Sequence, residues 1–260
     1  MAKYRKHKMI AVDERFSVVD EGEGWIVVNK GAPLIVHPAN DRGEESTLLG
    51  GVKELLAYDM VNGAKLSIIN RLDRETSGIV LIATKKSMAR ELGRSMERRE
   101  ILKKYKAIVW GWPKWDKLLV EAPMLRQGEV IDSRIYVKQM VHAKGKYSKT
   151  NLKVVKRINV GGKKMAVLEV APQTGRMHQI RVHCAHVEHP IVGDKIYGGC
   201  ESIYLKFIEE GMNDEMLRVL LMERHALHAS RMEVKIDNIR FQWEAGIAHD
   251  MAELLALAED

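Results

Sequence analysis

Residues 67–83 read SIINRLDRETSGIVLIA, and their centre is a carboxylate, Asp73, set between Arg71 and Arg74. The apolar runs on either side, Ile68-Ile69 and Ile79 to Ala83, are short and β-branched, which suits buried strands, and Gly78 marks the entry to the second. Asp73 is therefore expected in a loop between strands, where a rigid scaffold can present it for chemistry. An ordinary Asp, with a pKa of about 3.9, is ionised at neutral pH without help. Neighbouring arginines lower a carboxylate by roughly 1 to 3 units, so their better use here is to orient it or to bind an anion. A turn cap or a surface ion pair would use the same residue types.

A longer pattern separates these readings. Arg-Leu-Asp-Arg-x-Thr-Ser-Gly, at positions 71 to 78, resembles the catalytic motif of the RluA-type pseudouridine synthases. A second block follows downstream: Thr174-Gly175-Arg176-Met177-His178-Gln179-Ile180-Arg181-Val182-His183, then His189 to Gly198 (HPIVGDKIYG). It is similar to the same family's second signature, as are Lys30 to Pro38 (KGAPLIVHP), Lys104 to Gly111 (KYKAIVWG) and Arg224 to Ala229 (RHALHA). The resemblance spans residues 16 to 243. Asn70 departs from it, standing where many members have His.

The resemblance implies an RNA uridine isomerase. The bond from ribose C1′ to uracil N1 breaks, the base turns, and a bond from C1′ to C5 forms. An ionised carboxylate can carry one fragment meanwhile, and the resemblance makes Asp73 that nucleophile, attacking either C1′ or C6. Tyr105 matches the family's active-site tyrosine; with a phenol pKa near 10 it suits stacking on uracil better than acting as a strong base, and removal of the C5 proton stays open to it. Arg181 matches the basic partner of the aspartate, a role its planar fork fits. The target must be flipped out of its stack at a cost of a few kcal/mol, and Arg71 resembles the arginine inserted in its place. Arg74, Arg176, His178 and Gln179 are the remaining RNA-side candidates, and two of the three from the second block could equally hold their own loop together.

The elements that must position these residues alternate short strands and helices. Strands are expected at Trp25 to Val28, Leu34 to His37, Tyr105 to Trp110, Leu118 to Ala122 and Ser133 to Val137. A hairpin is expected from Thr150 to Val170, turning at Gly161-Gly162. Ala226 to Val234 and Ile239 to Trp243 read as a closing pair. Helical spacing covers Thr47 to Tyr58, Lys85 to Arg99, Gln179 to His186, Glu201 to Arg224 and Ile247 to Ala258. In the second of these, Met88, Leu92 and Met96 form an apolar stripe beside a basic one of Lys86, Arg90, Arg94 and Arg98. Hairpins with irregular helices argue α+β and a mainly antiparallel sheet. The resemblance sharpens this to the pseudouridine synthase fold, a long mixed sheet in two halves with flanking helices and a central RNA cleft.

Composition agrees with a globular, RNA-facing protein. The chain has 260 residues, 46% of them apolar, and 42 Lys+Arg against 35 Asp+Glu give a net charge of +7, a bias compatible with nucleic acid or an acidic surface. Residues 1–15 read as a basic, solvated tail and 16–260 as the catalytic domain, without a separate N-terminal RNA-binding module. Two cysteines, Cys184 and Cys200, frame neither a disulfide scaffold nor a CxxC metal site, and no apolar run reaches membrane-spanning length. A cytoplasmic monomer acting on ribosomal or transfer RNA, with no cofactor, no metal and no membrane partner, is the expectation. Two rivals stand beside it. His178, His183, Cys184, His186 and His189 lie close together in sequence, as zinc ligands do, but without HExxH or paired CxxC spacing. A catalytically silent RNA-binding or assembly factor could use the same fold, with no need to keep Asp73, Tyr105 and Arg181 together.

Overall fold

The computed structural model describes residues 10–13, 15–37, 47–236 and 239–259. The expected loop from Asn40 to Ser46 lies outside the described residues, as does most of the expected tail. Contacts divide the chain into two units, Met1–Lys103 with Ala229–Ala248, and Lys104–His228 with His249–Asp260.

The first unit opens with β1 (Ile10–Asp13), β2 (Phe16–Gly22) and β3 (Trp25–Lys30), then α1 (Leu48–Leu55) and α2 (Ala57–Val61), then β4 (Ser67–Ile68), β5 (Ser77–Ala83) and α3 (Lys86–Glu97). Strand β1 falls within the stretch expected as tail and pairs antiparallel with β2, and the ladder continues through β3 to β5. All seven residues of β5 are buried, as a continuous apolar run flanked by strands on both edges requires. On one face of it Ile79 and Leu81 meet Trp25, Val27, and Met88 and Leu92 of α3, and each such side chain contributes about 1.5 to 3 kcal/mol on burial. Helix α3 is thus amphipathic as its spacing predicts, with Arg90, Arg94 and Arg98 on its exposed side.

Two expected strands are otherwise. Leu34 to His37 joins no ladder; its backbone is used locally, with Leu34 N–H donating to Arg74 O (2.9 Å) and Ile35 O accepting from Leu48 N–H (2.9 Å) at the start of α1. Thr47 caps that helix through its side chain, which accepts from Gly50 N–H, and the single helix expected to Tyr58 breaks at Leu56 into two. Ser133 to Val137 is a turn, because the Ser133 hydroxyl takes both the carbonyl and the N–H of Ile135 (3.0 and 3.3 Å).

The second unit contains β6 (Leu102–Trp110), β7 (Lys117–Glu121), β8 (Met124–Arg126), β9 (Gln139–Val141), β10 (Lys149–Val160), β11 (Lys163–Pro172), α4 (Gln179–His186), α5 (Glu201–Glu210) and α6 (Asp214–Leu220). The hairpin β10–β11 turns at Gly161-Gly162 as predicted, both at positive φ. Strand β11 pairs on its other side with β6, and β10 with β7. Helix α4 has the expected bounds.

The chain then returns through β12 (Leu227–Ile236) and β13 (Ile239–Glu244), an antiparallel hairpin, and ends with α7 (His249–Ala256) and β14 (Ala258–Glu259) on β10. Strand β12 lies beside β5. Their approach at Gly78 (φ +113°) is so close that an added Cβ would sit 2.3 Å from Ala229 O, so only glycine serves there. Each unit is α+β, with mainly antiparallel strands and helices of its own.

Candidate active site

The loop between β4 and β5 is fixed to its surroundings from both ends. Asn70, buried, donates its amide N–H to Ile79 O (3.0 Å) and accepts Leu81 N–H (2.8 Å). It stands in for a strand neighbour at the point where the chain leaves the ladder. Leu72 and Thr76 are buried, and Thr76 N–H donates to Asp73 O (3.1 Å), closing a tight turn around the carboxylate. On the other side Arg74 O accepts from Leu34 N–H and from the ammonium of Lys30 (3.2 Å). Lys30 is only 1% exposed and also donates to Gly31 O and Leu34 O (both 2.8 Å). A buried ammonium is tolerable only when its protons are taken up in this way. Asp73 itself is half-buried while Arg71 and Arg74 are exposed, so the loop presents a carboxylate between two arginines on a backbone held by Asn70 and Lys30.

Removing the Asn70 amide would leave Ile79 O and Leu81 N–H buried and unmatched, at about 1 to 3 kcal/mol each. Asn70→Ala is therefore expected to lower the urea midpoint clearly and to reduce turnover more than RNA affinity, since the loop loses its register. Unfolding curves and single-turnover rates on the same preparation check this.

In the second unit Tyr105 is a buried residue of β6, opposite Val170 of β11. Arg181, on α4, is 5% exposed, and its fork is occupied along one edge: Nε donates to Asp194 Oδ2 (2.7 Å) and Nη2 to Asp194 Oδ1 (2.9 Å). Its guanidinium carbon lies 5.0 Å from the ring centre of Tyr197. Asp194 is fully buried and also accepts the N–H groups of Ile196 and Tyr197 (both 3.0 Å). Burial alone would raise its carboxyl, but the Arg181 charge and hydrogen bonds outweigh that and hold it well below the usual carboxylate range. The resemblance implies a hold of Arg181 on Asp73; beside that expectation, the Nε–Nη2 edge of the fork belongs to Asp194.

The other candidates of this block divide. Gln179 is buried, and its amide is committed to the protein: Oε1 accepts from Thr174 Oγ1 (2.7 Å) and Arg176 N–H (3.0 Å), while Nε2 donates to Lys149 O (3.0 Å) and Thr150 Oγ1 (2.9 Å). It holds the loop rather than facing RNA. His178 sits at positive φ (54°) before α4 with Nδ1 bonded to Tyr197 OH (2.8 Å). Arg176 is exposed, with Nε donating to Tyr147 O (3.2 Å).

The clustered histidines do not converge. His183 is bonded to Thr150 Oγ1 (2.8 Å) and lies 3.1 Å from Ser148 Oγ, and His189 is bonded to Trp110 O (2.8 Å). Burial draws the His183 pKa down and pushes the Cys184 thiol up to about 12. Among the described residues no group of three or more His, Cys, Asp or Glu is placed to hold a metal ion.

A loop displaying a half-buried carboxylate between two exposed arginines, on an α+β scaffold, suits an anionic substrate. Comparison with known proteins supplies the family. Residues 24–186 match the family model described as RNA pseudouridylate synthase. The chain is 32% identical over 248 residues, 93% of its length and 72% of the relative's, to "Ribosomal large subunit pseudouridine synthase D" of Blochmanniella floridana. It is 30% identical over 254 residues to the protein of the same name from Escherichia coli (strain K12), covering 94% of this chain and 70% of that one. Among solved structures, "Human RNA Pseudouridylate Synthase Domain Containing 4" matches with a TM-score of 0.69 at 21% identity, covering 94% of each chain, which establishes the shared fold. The chain belongs to the RNA pseudouridylate synthase family. Its activity is the isomerisation of uridine in RNA.

Proposed function

We propose that the RNA is that of the large ribosomal subunit, that Asp73 is the nucleophile, and that Tyr105 and Arg181 serve it. The choice of RNA rests on the names carried by the 30–32% identical relatives. The choice of nucleophile rests on one observation above the others: Asp73 is the only carboxylate of the 71–78 motif set between two arginines, on a loop whose backbone Asn70 and Lys30 fix. Ionised Asp73 attacks C1′ as the C1′–N1 bond breaks and the uracil anion departs, or adds to C6 before that bond breaks. The base turns, C5 bonds to C1′ as the Asp73–C1′ ester breaks (or the Asp73–C6 bond is broken afterwards), C5 gives up its proton and N1 takes one up, with no net gain or loss of atoms. Tyr105 stacks on the ring. To the Arg181 guanidinium, steadied by Asp194, we assign the task of limiting the carboxylate's freedom and favouring its ionised form. Arg74, Arg176 and His178 contact the RNA, and Gln179 acts behind them by positioning the loop.

The protein works in this reading as a cytoplasmic monomer. Both cysteines are free, one of them exposed, which suits a reducing compartment, and among the described residues no helix is long and apolar enough to cross a membrane. Sedimentation with and without RNA reads the monomer. Mapping new pseudouridines at nucleotide resolution in unmodified large-subunit ribosomal RNA and in transfer RNA tests the substrate: product confined to transfer RNA would overturn the ribosomal assignment.

Arg71, exposed and two residues before the nucleophile, is proposed to fill the gap left by the flipped uridine. If it offsets about 2 kcal/mol of the unstacking cost, Arg71→Ala loses about thirtyfold more activity on a base-paired target than on a flexible version of the same site. Arg71→Lys recovers only part, because an ammonium cannot stack as a planar guanidinium does. Single-turnover rates on both RNAs decide it; equal losses would assign Arg71 to the phosphates instead.

A further inference from the structure

The first unit carries a groove of about 1010 Å³ whose walls are α3 and the β12–β13 hairpin. The apolar face of α3 is spent on the core beneath, through Met88 and Leu92. Its other face turns Arg90, Arg94 and Arg98 into the groove, and Lys235 and Arg240 enter from the hairpin. Three acids, Glu91, Glu100 and Glu233, also line the groove, but among the described residues none of these five cations has a carboxylate at ion-pair distance, and Glu233 is turned to Arg231 (3.7 Å), so the lining keeps an excess of two positive charges. Arginines repeated every fourth residue repel one another on a helix, at a few tenths of a kcal/mol per pair. Three in a row, facing two further cations across a groove, are an arrangement that an anion would stabilise. The repeat also sets a length scale: four residues advance a helix by about 6 Å, close to the step between successive phosphates along a nucleic acid strand. Planar guanidinium forks at that step match a row of phosphate oxygens, each able to take two hydrogen bonds.

We propose that this groove binds the sugar-phosphate backbone of RNA at a site apart from the catalytic loop, so that Arg90, Arg94 and Arg98 hold substrate segments flanking the target uridine. The inference rests on the reading above only in taking RNA as the ligand. Contacts of this kind add affinity without sequence preference and release counterions. They act on the Michaelis complex and the transition state alike, so they lower KM and leave kcat unchanged.

The test uses the full chain and fluorescein-labelled oligocytidylate, which offers a phosphate backbone but no uridine to flip. Arg90→Gln/Arg94→Gln/Arg98→Gln is expected to lose tenfold or more in affinity, and the slope of log K against log salt is expected to flatten by about two, at roughly 0.7 per phosphate contact on a single strand. At saturating ribosomal RNA its single-turnover rate should equal that of the wild type. Lys153→Gln/Lys156→Gln/Lys163→Gln removes the same charge from exposed positions of the second unit and should leave the slope within half a unit of wild type. A wild-type slope in the arginine variant, an equal loss in the lysine variant, or displacement of the RNA by a polyglutamate peptide of matched charge would each overturn the proposal, the last assigning the groove to an acidic protein partner. Absence of pseudouridine formation by the wild type would strike the catalytic reading and leave this binding result standing.

Discussion

Asp73→Asn is expected to reduce turnover by on the order of 10⁴-fold or more while changing RNA affinity by less than about threefold. The amide keeps the size of the carboxylate, so the turn closed by Thr76 N–H on Asp73 O persists, but it has no negative charge with which to attack carbon. Removing a nucleophile takes away a bond made only along the reaction path, so the loss falls on kcat and not on binding. Asp73→Glu separates chemistry from placement: it keeps the charge and moves it by about one methylene. A displacement of about 1 Å costs on the order of 10²-fold in an oriented reaction, so this variant should fall between wild type and Asp73→Asn. Measurable turnover by Asp73→Asn above one part in a hundred would show that another group attacks.

The second large effect is on stability. Asp194→Asn leaves the Arg181 guanidinium buried without its counter-charge, and breaking a buried pair from one side costs about 3 to 5 kcal/mol. In a cycle with Arg181→Met, the two losses should fall short of additivity by about 1 to 3 kcal/mol. The pH dependence has a definite sign. The folded Asp194 carboxyl is held below the usual carboxylate range, so its contribution is fully present above the unfolded pKa of about 3.9 and is lost as pH falls through the lower folded value. The stability gap between wild type and Asp194→Asn is therefore expected to be constant from pH 5 to 7 and to narrow on further acidification. Urea midpoints across that range read it directly, and a gap that widened towards acid would contradict the ion-pair account. Activity serves as a second readout: restoring stability in the double variant should not restore turnover if Arg181 also orients Asp73.

What the sequence made legible and what it did not divide along physical lines. Local patterns carried α3, whose apolar stripe at Met88 and Leu92 does reach the core, and the β10–β11 hairpin, whose glycines at 161 and 162 have the positive φ that its turn demands. Long-range partnerships were hidden. Lys30 looks like a strand-end lysine bound for solvent, and only the return of the chain at Arg74 makes its burial intelligible. Asp194 sits in the quoted second block, yet nothing in its neighbours says that Arg181, thirteen positions earlier, will spend one edge of its fork there. Asn70 was visible as a departure from the family pattern, and the structure supplies the reason it serves: its amide reproduces both halves of a strand hydrogen-bond pair on β5. Leu34 to His37 shows the opposite failure, a β-like pattern whose backbone groups are claimed by Arg74 and α1 before any ladder can form.

Asp73 is proposed to be the group through which C1′ of a uridine passes from N1 to C5. Because C5 must shed its hydrogen when it becomes the glycosidic carbon, large-subunit ribosomal RNA transcribed with uridine tritiated at C5 reports the reaction by label released to water. Wild type is expected to release label, up to one tritium per modified site, with the RNA chain intact, and Asp73→Asn bound to the same RNA to release none above background. Release by the variant at a rate near that of the wild type would contradict the proposal.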